Sequence, residues 1–566
     1  MTIIKHSTPL KGPQYVSIEN EELNNMATTL RRPILAGGQT EFQKCKKFVT
    51  MTLGFVIGFS ICAWLTMNVY PLRKTVHVLY LQSNEPATYI TNSKFLSIGL
   101  DSSLIADGFK NFDMQNIRLK NMIGNLGPGY LRVGGTLADR LRFDPKNKAR
   151  TKLKYPLMQD GGLCSFEDFQ CGPAIQPNFT LSGEEWLELY NLASGTAFEI
   201  VFDLNVLIRF DNGTWNYTNA KELIDFSFKN KMKLSWELGN EPNSFKHVFN
   251  YTVDANQLAE DYGILKELLQ NAGYLVPFLV GPSITHPRPE NKESMEYLRN
   301  FLNNGGKNIV NAITWHQYYF NGRTATIDQF VDPDIFNLLI AETNLLEGIV
   351  SRVSSGIPIW LGETAAAYGG GAPGYNNRYI GTFIWLDKLG VAAKMGLDVV
   401  VRQSIFKGFY ALINGKDYQP TPDYWISVLY KLLVGPQVLP YHATIPPQVR
   451  LYCHCTNKAF QIYPSVTVYG MNMKSTEAVI RLEGFASPYY TTYNIYAFIL
   501  TSHGTLLSKD IDLNDKKLEL NEEGTLPMLK PQLLRHEDHV VMPPFSTAFF
   551  VIPTQEVLTG CKSWRD

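Results

Sequence analysis

Eight short runs rich in β-branched and aromatic residues recur along this chain with helical spacers between them. They are Phe95 to Leu100, Tyr130 to Val133, Phe198 to Leu204, Lys233 to Leu238, Phe278 to Val280, Ala312 to Trp315, Pro358 to Leu361 and Val399 to Arg402. Strands that alternate with helices form a parallel sheet covered on its outer face, and eight such units predict a closed (β/α)8 barrel over residues 95–434. The chemistry of such a barrel sits in loops at the C-terminal ends of its strands. Several of these runs lead into Gly, Asn, Asp, Glu or His, so functional residues are sought on that rim. After about Val434 the helical spacing fades. Short alternating runs such as Ser465 to Tyr469, Ala478 to Leu482 and Phe545 to Ile552 predict a β-sandwich over 435–566. The run Val76 to Leu81 has no place among the eight, so residues 76–94 are expected to join the sandwich and link both ends of the chain.

From Phe48 to Tyr70 the chain carries no charge. At about 1.5 Å per residue that length crosses a hydrocarbon core of ~30 Å, which predicts one transmembrane helix. Arg31, Arg32, Lys44, Lys46 and Lys47 precede it and only Arg73 and Lys74 follow closely, so residues 1–47 are expected to stay cytosolic. The expectation is a type II membrane protein whose body lies in the lumen of the secretory pathway, in a lysosome or at the cell surface. Four glycosylation sequons, at Asn178, Asn212, Asn216 and Asn250, fall on that side.

Five of the seven cysteines also lie beyond the segment. Cys164 and Cys171 can close a short loop, and Cys561 can reach back to Cys453 or Cys455, which share one face if they sit on a strand. Candidate disulfide residues are therefore Cys164, Cys171, Cys455 and Cys561. His454 would point to the opposite face, which argues against a metal site there, and no metal or cofactor is expected. With 52 basic and 52 acidic residues the formal net charge is zero, so no nucleic acid partner is expected.

Two of the eight runs end in carboxylates. The fourth reads KLSWELGNEPNSF and brings Asn240 and Glu241 to the barrel mouth; the seventh reads PIWLGETAAAYGGGAPG and brings Glu363 to the equivalent height. Strands four and seven stand on roughly opposite sides of an eight-strand ring, so these carboxyls can face each other across a cleft. Retaining glycosidases need such a pair at about 5–5.5 Å, one as nucleophile and one as acid/base. Mutual proximity is expected to raise the pKa of the acid. Asn240 can hydrogen-bond a sugar 2-hydroxyl, and Glu237 is read as a structural acid of the barrel interior.

Together with YLRVGGTLADRLRFDP at 130–145, WHQYYFNGRTAT at 315–326, WLDKLG at 385–390, PDYW at 422–425 and HCTN at 454–457, these stretches resemble the heparanases, glycoside hydrolase family 79. The resemblance implies a retaining endo-β-glucuronidase acting on heparan sulfate or a related glycosaminoglycan. It places the proton donor on Glu241 and the nucleophile on Glu363. It also implies substrate contacts at Asp101, Ser103, Thr136, Asn240, Arg288, His316, Tyr318, Arg323, Tyr368, Gly369, Gly370, Gln403 and Tyr410, with Ser103 standing where the family commonly has Asn. Gly369 and Gly370 can offer backbone N–H groups to a uronic carboxylate, while His316 and Tyr318 can orient the nucleophile or line the same subsite.

Two departures qualify the resemblance. The segments matching the family's basic flanks read HPRPENKES and SGEEWLELY, which are acidic or mixed, so attraction for a sulfated chain should be weaker. The stretch Pro145 to Gly183 is short where the family has an excisable linker, so conversion to two chains is not expected. Exo-action on a less sulfated glycan, or a non-catalytic glycan-binding role, are the alternatives.

Overall fold

A computed structural model describes residues 46, 48, 50–52, 75–147, 178–290, 292–354, 356–462, 464–485, 494–535 and 539–565. The chain divides into two units, Met1–Lys74 and Thr75–Asp566. In the first, the described residues 46, 48 and 50–52 are helical. Among the described residues no helix is long and apolar enough to cross a membrane, and most of the segment 48–70 lies outside them. Cys164, Cys171 and the centre of the linker region also lie outside the described residues.

The second unit contains the closed barrel. Its strands are β1 (Leu96–Asp101), β2 (Gly129–Gly134), β3 (Phe198–Leu204), β4 (Leu234–Leu238), β5 (Phe278–Ile284), β6 (Ala312–Gln317), β7 (Ile359–Thr364) and β8 (Val399–Arg402). They pair in parallel and in chain order until β8 meets β1. All eight predicted runs are present, several extended at their C-terminal ends. The barrel floor is filled by Tyr130, Val201, Val280, Ala312, Trp360, Val399 and Val401, with the Tyr130 and Trp360 ring centroids 4.7 Å apart. Inward side chains alternate along a strand, so two residues above Tyr130 the same face of β2 presents Arg132 to the mouth. The floor keeps water out from below and leaves the mouth as the polar end.

Two larger sheets and two two-stranded ones accompany the barrel. The four-stranded sheet orders Tyr441–Thr444, Val76–Leu81, Ala478–Glu483 and His539–Met542. Val76–Leu81 does join the C-terminal strands, pairing antiparallel with Tyr441–Thr444 and parallel with Ala478–Glu483. The nine-stranded sheet is built around Val449–Thr456, Ser465–Asn472, Ser546–Pro553 and Asn494–Ser502. Its two faces serve different partners. Leu451, Cys453, Cys455, Val466, Val468, Phe550 and Ile552 share a core with Leu79, Leu81, Ile480 and Val540 of the smaller sheet. Tyr452, Tyr469 and Phe549 join the barrel's core instead. A Cβ on Gly390, in the helix Gly381–Lys394, would stand 2.3 Å from the Tyr452 ring, so that helix meets the sheet only because a side chain is missing there.

Cys455 is bonded to Cys561, and Cys453 is free and buried. Three sequon asparagines, Asn178, Asn212 and Asn250, are exposed and Asn216 is half-buried.

Candidate active site

The site is organised by Arg132. Its Nε donates to Glu237 Oε2 at 2.7 Å, one terminal nitrogen to Glu363 Oε2 at 2.8 Å, and the other to Asn240 Oδ1 at 3.0 Å and Ser283 Oγ at 3.2 Å. Asp203 lies 3.6 Å from the same guanidinium. Burial alone would disfavour the charge, but the facing carboxylates Glu237, Glu363 and Asp203 outweigh it and raise the Arg132 pKa. A Cβ on Gly134 would stand 2.8 Å from Arg132 Cζ, which explains the glycine following Arg132 and Val133. Asp203 is pushed well above the usual carboxylate range by burial and by the charges of Glu237 and Asp139.

Glu363 is reached through a register shift. Trp315 pairs with Leu361 but His316 pairs with Glu363, so β7 bulges at Gly362 and re-aims the carboxylate. Its Oε1 accepts from the Tyr318 hydroxyl at 2.7 Å and its Oε2 from Arg132. Glu241 follows β4 in a left-handed backbone conformation, φ 55° and ψ 51°, just before Pro242. That region is unfavourable for a residue with a side chain and more so before proline, and such strain persists only where surroundings impose it. Here Glu241 N donates to Ser283 O at 3.0 Å, while Asp139 accepts from Asn240 N and Val206 N.

His316 supplies the link to Glu241. Its Nδ1 lies 2.9 Å from Glu241 Oε1 and its Nε2 lies 2.8 Å from Ser283 Oγ. Arginine can only donate, so Ser283 Oγ accepts from Arg132 and its own hydrogen is free to go to His316 Nε2. In the neutral ring that leaves the histidine proton on Nδ1, pointing at Glu241, and in the charged ring Nδ1 donates there as well. The expected rise in the acid's pKa is therefore not what the structure shows. Burial pushes the Glu241 carboxyl up, but the hydrogen bond and charge of His316, with smaller pulls from His286 and Arg132, bring it below its ordinary value. His316, and not a second carboxylate, is the partner in hydrogen-bond contact with Glu241.

The other predicted contacts distribute unevenly. Asp101 accepts from Gln403 Nε2 at 2.8 Å, and Tyr410 packs with Tyr318 and Ala365. Tyr368, Gly369 and Arg323 are exposed on the rim, and Thr136, Gly370 and Arg288 are half-buried. Asn240 Oδ1 is taken by Arg132, so its amide nitrogen is the atom left to donate. Arg288 is turned to Glu342 at 2.6 Å and to the carbonyl of Tyr318 at 3.1 Å, bracing the strand end. Ser103 is buried, and its backbone N–H donates to Asp101 Oδ1.

Sequence reasoning passed over Arg132, Ser283, His286 and Lys388. Lys388 Nζ, fully buried, donates to Gln317 Oε1 at 2.5 Å, Thr364 Oγ1 at 2.6 Å and Ala365 O at 2.8 Å, tying the ends of β6 and β7 together directly behind Glu363. The available signal was a charged residue inside an otherwise apolar run, in YLRVGG and again in WLDKLG.

A family model for glycosyl hydrolase family 79, N-terminal domain, matches residues 101–390, just over half of the chain. A heparanase of Gallus gallus is 35% identical over 515 residues, covering 85% of this chain and 96% of that protein. The chain belongs to glycoside hydrolase family 79. An inactive heparanase-2 of Mus musculus is 30% identical over 595 residues, covering 93% of this chain and 98% of that relative. Thus the family-79 relatives include an inactive protein. Among solved structures, a 4-O-α-L-rhamnosyl-β-D-glucuronidase of Fusarium oxysporum superposes with a TM-score of 0.62, covering 84% of this chain and 100% of that one. At 13% identity that likeness is one of fold.

Proposed function

We propose that this family-79 protein is a retaining glycosidase that cleaves β-glucuronidic bonds in a glycosaminoglycan of the heparan sulfate type. Glu363 is the nucleophile and Glu241 the acid/base. The observation that carries the reading is a continuous path, Glu241 to His316 to Ser283 to Arg132 to Glu363, that joins the carboxyls of strands four and seven through three buried residues. Glu363, held by Tyr318 and Arg132 as a double acceptor, attacks the anomeric carbon. Glu241 protonates the leaving oxygen, then takes a proton from the water that hydrolyses the glycosyl ester. Since the His316 contact favours the ionised form of Glu241, the protonated form needed for the first step is populated at acidic pH. The His316 proton on Nδ1 stabilises the carboxylate left when Glu241 has given its proton away.

Exo-action on a less sulfated glycan is the second reading, favoured by Glu290 and Glu293 in HPRPENKES and by Glu184, Glu185 and Glu188 near the other flank. The protein is proposed to act from a single N-terminal anchor over 48–70, with its body lumenal or extracellular.

Digestion of heparan sulfate followed by product sizing tests both readings: mid-chain fragments support endo-cleavage, released single sugars support exo-cleavage. Glu241→Gln should lower turnover by about 10²–10⁴-fold, and Glu363→Gln by at least as much. Equal, null turnover by wild type and both variants on every uronic-acid glycan would leave only the binding role.

A further inference from the structure

A large cavity lies on the same end of the barrel as Glu241 and Glu363 but is lined by neither. Its volume is about 1100 Å³, slightly beyond the range of about 300–1,000 Å³ typical of small-molecule pockets. It is bounded by three barrel loops and by the sheet segments 509–510 and 517–522. Those three loops also carry predicted substrate contacts. The β1 loop runs from Asp101 to Asp107, the β7 loop from Gly370 to Arg378, and the β8 loop from Gln403 through Lys407 and Gly408 to Tyr410.

Gly408 and Phe409, on the cavity's lining, are fastened to Gly370 and Tyr410, two of the predicted substrate contacts. Phe409 N donates to Gly370 O at 2.7 Å, and a Cβ on Gly408 would stand 2.7 Å from the Tyr410 ring. The walls are fastened independently of any ligand. Arg118 Nε donates to Tyr418 O at 3.1 Å, and one of its terminal nitrogens to Asn521 O at 2.5 Å and Glu522 O at 3.2 Å. Tyr379 N and Ile380 N donate to Ser508 O and Leu506 O at 2.9 Å each. A cleft braced in this way loses little entropy when a chain enters it.

The charge is also distinctive. Lys407 is paired with Asp107, and Lys517 with Asp510 and Glu519. Among the described residues, Lys110, Lys416 and Lys509 form no ion pair, and all three are exposed on the lining. Asp417 and Glu522 are the remaining acids. With Arg118 and Arg378 included, cations exceed acids here, whereas SGEEWLELY has none and HPRPENKES balances two with two.

Resting on the glycosidase reading above, we propose that this groove receives the continuation of an acidic glycan whose scissile sugar lies at the barrel mouth. The chain passes over the Gly370–Phe409 contact, and its carboxylates or sulfates meet Lys416, Lys509 and Lys110. Positive charge that the two flanking segments lack is thus supplied from one side, by the junction of barrel and sheet.

The test uses the full chain carrying Glu363→Gln, so that substrate is not consumed, with and without Lys416→Glu and Lys509→Glu. The probes are a sulfated uronic-acid octasaccharide prepared from heparin and a disaccharide of the same repeat. The octasaccharide Kd should rise about tenfold and lose part of its salt dependence, with the disaccharide Kd and the melting temperature unchanged. Unchanged octasaccharide binding, or equal weakening of both probes, overturns the proposal; the neutral pair Lys416→Gln and Lys509→Gln repeats the comparison should the charge reversal unfold the protein. Failure of the glycosidase reading is a separate result, seen as no hydrolysis by the wild-type chain.

Discussion

Two histidines, His316 at the barrel mouth and His454 in the nine-stranded sheet, are each 1% exposed, yet they sit in opposite electrostatic surroundings. His454 Nδ1 lies 2.8 Å from the carbonyl of Gly435, and its Nε2 lies 3.2 Å from the Tyr469 hydroxyl. Both partners are neutral, and burial lowers its pKa to about 4. His316 instead bridges a carboxylate and a serine that leads to a buried arginine. Burial alone does not separate a structural histidine from a working one. The charge of its partners does: His454 meets only neutral groups, whereas His316 touches the carboxylate of Glu241. The sheet region surrounds its histidine with neutral groups, whereas the mouth is built around charged ones.

The largest effect that could break this contrast comes from the sheet side. The Cys455–Cys561 bond closes a loop with a sequence separation of 106 and ties the C-terminal segment to Val449–Thr456. Removing a cross-link over a loop of that length costs about 4 kcal/mol of stability, chiefly by freeing the unfolded chain. Cys561→Ser should therefore lower the denaturant midpoint strongly while kcat per folded molecule stays the same. A parallel fall in kcat would show that the two regions are coupled.

Next in size is the cost of the neutral cage. His454 has a folded pKa of about 4 against 6.5 unfolded, so the unfolded state binds more protons between those values. Its neutral form is fully compatible with the fold above pH 6.5, and stability is lost as pH falls from there towards 4, by about 3 kcal/mol in total. Asp423, raised by burial to about 6, works with the opposite sign, so the measurement is the difference between wild type and His454→Gln. That difference should shift in the variant's favour as pH falls from 7 to 4. A difference independent of pH would mean that the fold leaves the His454 pKa at its unfolded value.

How much of this was legible in the sequence follows from the kind of signal each feature leaves. The eight barrel strands were readable because each is a short apolar run bounded by turn residues, and Val76–Leu81 because it was one run too many. Glu241 and Glu363 were readable because strand ends of a barrel converge on one mouth. Their partners were not. Whether Arg132 on β2 points inward depends on register, and the bulge at Gly362 that re-aims Glu363 depends on three strands at once. The His316–Glu241 contact joins residues 75 positions apart, so the expectation that a second carboxylate raises the acid's pKa gave way to a partner that only the folded ring brings near. His454 illustrates the converse: strand alternation alone placed it opposite Cys453 and Cys455, as found.

The smallest effect is the sharpest test of the mouth. On the proposed mechanism Glu241 carries a proton to act as the acid, so activity is expected below the titration of Glu241 and is lost as pH rises through it. His316 lowers the Glu241 pKa by its hydrogen bond and its charge. In His316→Gln the amide can keep one hydrogen bond to Glu241 but has no charge to offer and breaks the proton order from Ser283. The alkaline limb of kcat/KM should then move to higher pH, with a loss of about tenfold at the optimum. Cys561→Ser and His454→Gln should leave the limb where it is, since neither touches a group that titrates with Glu241. If the limb stays fixed in His316→Gln as well, another group sets it, and the mouth and the sheet would differ in burial chemistry without differing in function.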